Sequence, residues 1–130
     1  MSIRWYSIVI DCADFRALSR WWAEALGWVV AYEDDDEVTL VPAHAAGGDD
    51  TPVDRRGPGL TFVAVPEQKT IKNRLHIDVA PRAGDSQEAE VERLLSLGAS
   101  RVDIGQSADV TWVVLADPEG NEFCVLSPRD

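Results

Sequence analysis

His76 is the residue of this chain best suited to move a proton near neutral pH, because imidazole titrates there. It stands in Asn73-Arg74-Leu75-His76-Ile77-Asp78-Val79, which alternates like a strand. Leu75, Ile77 and Val79 take one face, and Arg74, His76 and Asp78 take the other. On that polar face His76 can act as a general base, a ligand or a donor to a substrate oxygen. It can equally be satisfied by Asp78 or Arg74. The forked donors of Arg74 suit a carboxylate or another anion, although such arginines commonly pair with a local acid. Trp5 and Trp112 offer flat apolar walls for an aromatic or heterocyclic ligand. Cys124 is a candidate nucleophile with no basic partner beside it in sequence, which favours an inert buried thiol. Glu122 precedes it by two and shares its strand face. It is either a carboxylate for the same site or an exposed strand end. Trp21 and Trp22, at helical spacing, belong to a core. Asp34 to Glu37 reads as a solvated turn and His44 as a loop residue.

The elements that must position these groups are legible from periodicity. Arg4 to Cys12 reads as a strand, with Tyr6, Ile8 and Ile10 on one face and Trp5, Ser7, Val9 and Asp11 on the other. Asp14 can cap a helix whose buried stripe is Phe15, Leu18, Trp21, Trp22, Ala25 and Leu26, and Gly27 stops it. Trp28 to Glu33, Val38 to Pro42 and Leu60 to Val65 follow as strands. Between the last two, Ala43 to Gly59 has no apolar period and is expected to be a mobile flap over a cavity mouth. The second half runs as the strand Asn73 to Val79, then a helix capped by Asp85 with Glu88 completing a capping box. That helix buries Val91, Leu94 and Leu95 and ends at Gly98. The strands Ser100 to Ile104, Thr111 to Ala116 and Glu122 to Leu126 come next, the last preceded by the turn Asp117-Pro118-Glu119-Gly120-Asn121.

Asp14 and Asp85 lie 71 positions apart, as do Leu26 and Leu97, and Gly27 and Gly98. Each half reads strand, helix, Leu-Gly stop and three strands, which implies a duplicated unit. The expected fold class is α+β, built from two βαβββ modules at about 1–66 and 72–130 within one domain. Two amphipathic helices can cover only one face of the strands, so the other face is left to form a cavity.

The chain has 130 residues, 45% of them hydrophobic, enough for a core without staples. Twelve Lys and Arg against 23 Asp and Glu give a net charge of −11. Such a chain repels phosphate backbones and anionic membrane surfaces, so neither nucleic acid nor a membrane is an expected partner. No apolar run reaches the length of a membrane span, and no signal peptide is expected before the first strand. Two cysteines without a disulfide-type spacing fit a reduced, cytoplasmic setting.

Three segments carry a resemblance: DFRALSRWWAEALG (Asp14 to Gly27), NRLHIDV (Asn73 to Val79) and TWVVLADPEGNEFCVL (Thr111 to Leu126). In this order they resemble the vicinal oxygen chelate superfamily of glyoxalase, bleomycin-resistance and extradiol-dioxygenase proteins, within its glyoxalase-like subgroup. The resemblance implies the paired βαβββ fold with a cavity between curled sheets and, for an acidic chain that still carries many aromatics, a homodimer. Metal-using members place His or Gln on the first strand, Glu on the fourth, His on the fifth and Glu on the eighth. Here those positions fall on Ser7, on a strand whose only polar residue is Thr61, on His76 and on Cys124. Neutral hydroxyls are poor ligands, and a thiol suits zinc rather than magnesium or manganese.

The expectation is therefore a protein that binds a small organic ligand, with metal-free chemistry at most and no cofactor. His76 is its catalytic candidate, and Trp5, Ser7, Arg74, Trp112, Glu122 and Cys124 are its binding candidates. A metal-dependent lyase, isomerase or dioxygenase of the superfamily is the alternative, and a purely structural or partner-binding domain is a third class.

Overall fold

The structure, a computed structural model, describes residues 2–46, 52 and 55–130. The chain divides into two compact units, Met1–Gln68 and Lys69–Asp130. Unit 1 runs β1 (Ser7–Cys12), α1 (Phe15–Leu26), β2 (Val29–Glu33), β3 (Glu37–Val41) and β4 (Gly59–Ala64). Unit 2 repeats the plan with β5 (Ile77–Val79), α2 (Gln87–Leu97), β6 (Ser100–Arg101), β7 (Val113–Ala116) and β8 (Glu122–Val125). Each unit holds one open four-stranded sheet, ordered β1-β4-β3-β2 in the first and β5-β8-β7-β6 in the second. In both, the first strand pairs in parallel with the fourth, and the other pairs are antiparallel. This is the expected α+β arrangement of two βαβββ modules.

Helix α1 starts where Asp14 accepts from the Ala17 amide at 3.0 Å and stops at Gly27, whose φ of 66° suits glycine. It buries Leu18, Trp21 and Trp22, the two indoles meeting edge to face at 5.0 Å. It packs on β1, β3 and β4. Alternation then sorts the sheet. Val38, Leu40, Leu60 and Phe62 are buried, all four at 4% exposure or less, each burial stabilising by roughly 1.5–3 kcal/mol. Thr39 and Thr61 point the opposite way. The core of unit 2 is Val91, Leu94, Val114, Leu115, Phe123 and Val125.

The structure corrects several expected boundaries. The first strand begins at Ser7, where pairing with Gly59 begins, and not at Arg4. The strand expected over Asn73 to Val79 contracts to Ile77–Val79, so Arg74 and His76 precede it. Its partner β8 only begins at Glu122, directly after the tight Asp117–Asn121 turn, and the Asn73 amide bonds the Glu122 side chain in place of a ladder partner. Ser86, not Asp85, caps α2, accepting from the Ala89 amide at 3.1 Å and donating to Glu88. The strand expected from Ser100 to Ile104 ends at Arg101. Beyond it, the Asp103 and Gln106 side chains capture the Gly105 and Ile104 amides and turn the chain. The seventh strand starts at Val113, because the Thr111 carbonyl accepts from Gln87 of α2. In the expected flap, Ala43–Ala45 forms a single 3₁₀ turn with Ala45 buried. Residues 47–51 and 53–54 of that segment lie outside the described residues.

Candidate functional site

Two groups of candidate residues emerge, one in each unit. In unit 1, parallel pairing of β1 with β4 and antiparallel pairing of β4 with β3 align three hydroxyls in a row. Ser7 Oγ lies 2.9 Å from Thr61 Oγ1, which lies 3.0 Å from Thr39 Oγ1. Ser7 Oγ also lies 3.2 Å from the carbonyls of Gly59 and Ile8. Gly59 has no room for a side chain, since a Cβ there would meet the Leu40 carbonyl oxygen at 3.0 Å.

This row sits in a pocket of 620 Å³ lined by residues from Arg4 to Thr61, a volume typical of small-molecule sites. The hydroxyls hold its less exposed part, with Thr61 buried and Ser7 and Thr39 half-buried. Trp5, Tyr6 and Tyr32, at 66, 75 and 52% exposure, hold its outer part, together with Arg4, Arg56 and the carboxylate of Glu37. The Arg4 guanidinium lies over the Tyr6 ring at 5.7 Å. Tyr32 donates to Asp34 at 2.8 Å, and that bond, reinforced by the charge of Asp34, pushes its phenol above the ordinary value. The Asp36 amide and then the Tyr32 hydroxyl hold the Asp34 carboxyl below its own.

In unit 2, His76 Nε2 lies 3.2 Å from Asp78 Oδ1. Asp78 is the register partner of Cys124 across the parallel β5–β8 pair. One ligand atom from each of His76, Asp78 and Cys124 falls within 4.8 Å of the others. Cys124 is buried, while His76 and Asp78 are exposed. Burial, and then the charge and hydrogen bond of Asp78, push the Cys124 thiol up, so it stays protonated at neutral pH.

The remaining candidates fall elsewhere. Arg74 is exposed on a bend and makes no ion pair among the described residues. Trp112 is 40% exposed just ahead of β7 in unit 2. Glu122 accepts from Lys69 at 2.8 Å and from the Asn73 amide at 2.9 Å. Burial raises its carboxyl, but these donors win and hold it below the ordinary value. Its carboxylate thus anchors the segment leading into β5. Thr39 and Tyr32 were not singled out by the sequence, and Glu37, read there as the end of a solvated turn, is the half-buried first residue of β3 and lines the pocket; alternation along β2 and β3 is the only signal for the three. Asp78 carried one, its i+2 spacing from His76.

A family model of the glyoxalase-like domain matches residues 7–126, and the chain belongs to that family, within the vicinal oxygen chelate superfamily. The fold is shared with a fosfomycin resistance protein, FosX, from Listeria monocytogenes, solved with Mn(II) and sulfate (TM-score 0.70, 12% identity, 98% of this chain and 92% of that one). It is shared also with a glyoxalase/bleomycin resistance protein/dioxygenase family enzyme from Burkholderia phytofirmans PsJN (TM-score 0.61, 22% identity, 93% and 95%). A third likeness is the oxidase ChaP-H2 (TM-score 0.58, 14% identity, 98% and 94%). No curated protein matches the sequence significantly. Among the described residues no helix is long and apolar enough to cross a membrane, and neither Cys12 nor Cys124 is in a disulfide.

The hard dication used by metal-dependent members does not fit the four corresponding positions here. Ser7 and Thr61 are neutral hydroxyls bonded to each other, and neither supplies the charge that offsets desolvation of a dication. Cys124, the fourth position, is a soft donor that manganese and magnesium disfavour.

Proposed function

We propose that this protein binds a small planar organic molecule, aromatic or heterocyclic with a polar oxygen, in the unit 1 pocket, with no hard dication at the family positions. The carrying observation is the pairing of exposed rings with a part-buried hydroxyl row in one 620 Å³ pocket. Trp5, Tyr6 and Tyr32 can stack on a flat ligand, each with an apolar body and few rotatable bonds. Ser7, Thr39 and Thr61 can each donate or accept, so the row can re-aim its hydrogens toward a ligand oxygen. Arg4 and Arg56 favour an acidic substituent at the pocket margin. Proteins of the same fold include a fosfomycin resistance protein and an oxidase, which is compatible with the reading, but the ligand class rests on these residues alone.

The test is calorimetric titration with 2-naphthoate and with cyclohexanecarboxylate, which keeps the charge and loses the flat ring. Binding of the first, stronger than the second and weakened about fivefold to tenfold by Trp5→Ala, supports the reading. Equal affinity for both, or no loss on Trp5→Ala, removes the stacking that it requires.

A further inference from the structure

We propose that the unit 1 pocket reads a hydrogen-bond donor, so that its ligand is a planar aromatic acid carrying an amino group whose N–H bonds meet Thr39 and Glu37. This rests on the pocket reading above and names the ligand class within it. The carrying observation is where the pocket's own hydrogens go. Ser7 Oγ donates its single hydrogen to the carbonyls of Gly59 and Ile8, both at 3.2 Å, and carbonyls only accept. With that hydrogen committed, the Thr61 hydrogen makes the 2.9 Å bond to Ser7, and the Thr39 hydrogen makes the 3.0 Å bond to Thr61. All three hydroxyl hydrogens then lie inside the row, and Thr39 Oγ1 ends it with lone pairs alone. In the opposite direction Ser7 donates to Thr61 and Thr61 to Thr39, which gives up the bond to the carbonyls. An acceptor on the ligand has to impose that reversal, whereas a donor adds to the row as it stands.

The neighbouring groups are committed in the same way. Tyr32, the register partner of Thr39 across β2 and β3, donates to Asp34 at 2.8 Å. Trp5 Nε1 donates to the Ser7 carbonyl at 3.3 Å. Glu37 stands two residues before Thr39 on the same face of β3, half-buried and lining the pocket. Among the described residues its carboxylate makes no hydrogen bond or ion pair, and an ionised carboxylate only accepts. One face of β3 therefore presents two acceptors in succession, a hydroxyl oxygen and a charged carboxylate, roughly 7 Å of strand apart. The long Glu37 stem can bring its oxygens toward Thr39. An amino group carries two N–H bonds on one atom, so it can serve both, and its bond to the carboxylate is charge-assisted. The pocket's cations, Arg4 and Arg56, suit the acid group of the same ligand.

The experiment titrates the full-length protein calorimetrically with 2-naphthoate and with its 6-amino, 6-methyl and 6-methoxy derivatives. The amino and methyl ligands share ring, charge and shape, and differ in the donor; the methoxy ligand only accepts. The expected result is that 6-amino-2-naphthoate binds about tenfold more tightly than the methyl ligand, while the methoxy ligand gains nothing over it. Glu37→Gln and Thr39→Val should each cut the amino-to-methyl preference by about threefold or more. Thr39→Ser keeps the oxygen and should preserve the preference. The readout is a ratio between two ligands of one shape, so a variant that merely loosens the pocket weakens both and leaves the ratio unchanged. If Thr39→Val fails to fold, Glu37→Gln decides the matter. Equal affinity for the amino and methyl ligands, with 2-naphthoate still bound, overturns the donor assignment and leaves the pocket reading intact. So does a methoxy gain equal to the amino gain, or a ratio unchanged in both Glu37→Gln and Thr39→Val. Failure of all four ligands to bind overturns the pocket reading and this proposal with it.

Discussion

Ser7 Oγ and Thr61 Oγ1 stand 2.9 Å apart although 54 residues separate them in sequence. The contact exists because β1 runs parallel to β4 and places Val9 opposite Thr61, two residues beyond the Ser7–Gly59 pair and on the same sheet face. Thr61 also meets Thr39 at 3.0 Å, so it is the middle member of the row. Thr61→Val removes that middle hydroxyl at nearly constant volume. Thr39 then loses its bond, while Ser7 keeps the Gly59 and Ile8 carbonyls. The expected cost is about 1 kcal/mol in urea unfolding, with weaker 2-naphthoate binding. A variant more stable than the wild type would show that the row contributes nothing to folding.

Asp117 is 3% exposed and accepts from the amides of Glu119 and Asn121 at 2.9 and 3.0 Å and from the Asn121 side chain. It closes the turn that delivers β8, and hence Cys124, to its register. Asp117→Ala leaves these donors without their acceptor, at about 1–3 kcal/mol for such a buried group. Thermal unfolding should show a fall of several degrees in melting temperature. A change of under one degree would mean that another acceptor or water replaces the carboxylate.

Glu122 makes stability depend on pH. Its carboxyl is held below the ordinary 4.5 against the opposing effect of burial, through Lys69 and the Asn73 amide. A carboxyl depressed in the folded state binds fewer protons there than when unfolded. Its contribution is therefore full above about pH 4.5 and is lost as pH falls through the lowered folded value. Glu122→Gln should be less stable than the wild type at pH 7, by about 1–3 kcal/mol, and the gap should close on acidification. Paired melting curves from pH 7 to pH 3 check this, since the other acids titrate alike in both proteins. A gap that stays constant over that range contradicts the assignment.

At Gly59 the close approach is to rigid backbone, the Leu40 carbonyl at 3.0 Å, with Thr39 Cγ2 at 3.3 Å. Gly59→Ala therefore forces β3 and β4 apart beside the pocket. About 1–3 kcal/mol of destabilisation is expected from overpacking, together with weaker ligand binding. Unchanged stability would mean that the strands separate at no cost.

The duplicated plan was readable because its signals are local. Asp14 and Gly27 bracket one helix and Gly98 ends the other, and the Leu-Gly stops repeat at a fixed interval. Strand ends were less readable, because a strand lasts only as long as its neighbour. Asn73 to His76 alternates properly, yet β8 is four residues long and offers those residues no ladder. Ser86 displaced Asp85 as cap because either residue suits the position locally, and only the three-dimensional path of the chain chooses between them. Alternation on β1 puts Trp5 and Ser7 on one face, but that Thr61 joins them in one pocket depends on the β1–β4 register, which no local pattern reports. The meeting of Cys124 with Asp78 depends on the β5–β8 register, which no local pattern reports. Glu122 and Cys124 share a strand face by spacing, but Lys69, 53 residues away, claims the carboxylate.

Amide chemical-shift mapping tests the ligand-binding claim most directly. Nitrogen-15-labelled protein is titrated with 2-naphthoate to millimolar concentration. The account predicts saturable shifts at Ser7, Thr39, Gly59 and Thr61, the residues of the hydroxyl row and its close-packed glycine, with Ile77, Phe123 and Val125 of unit 2 unmoved. Absence of saturable shifts, or saturable shifts confined to unit 2, would contradict it.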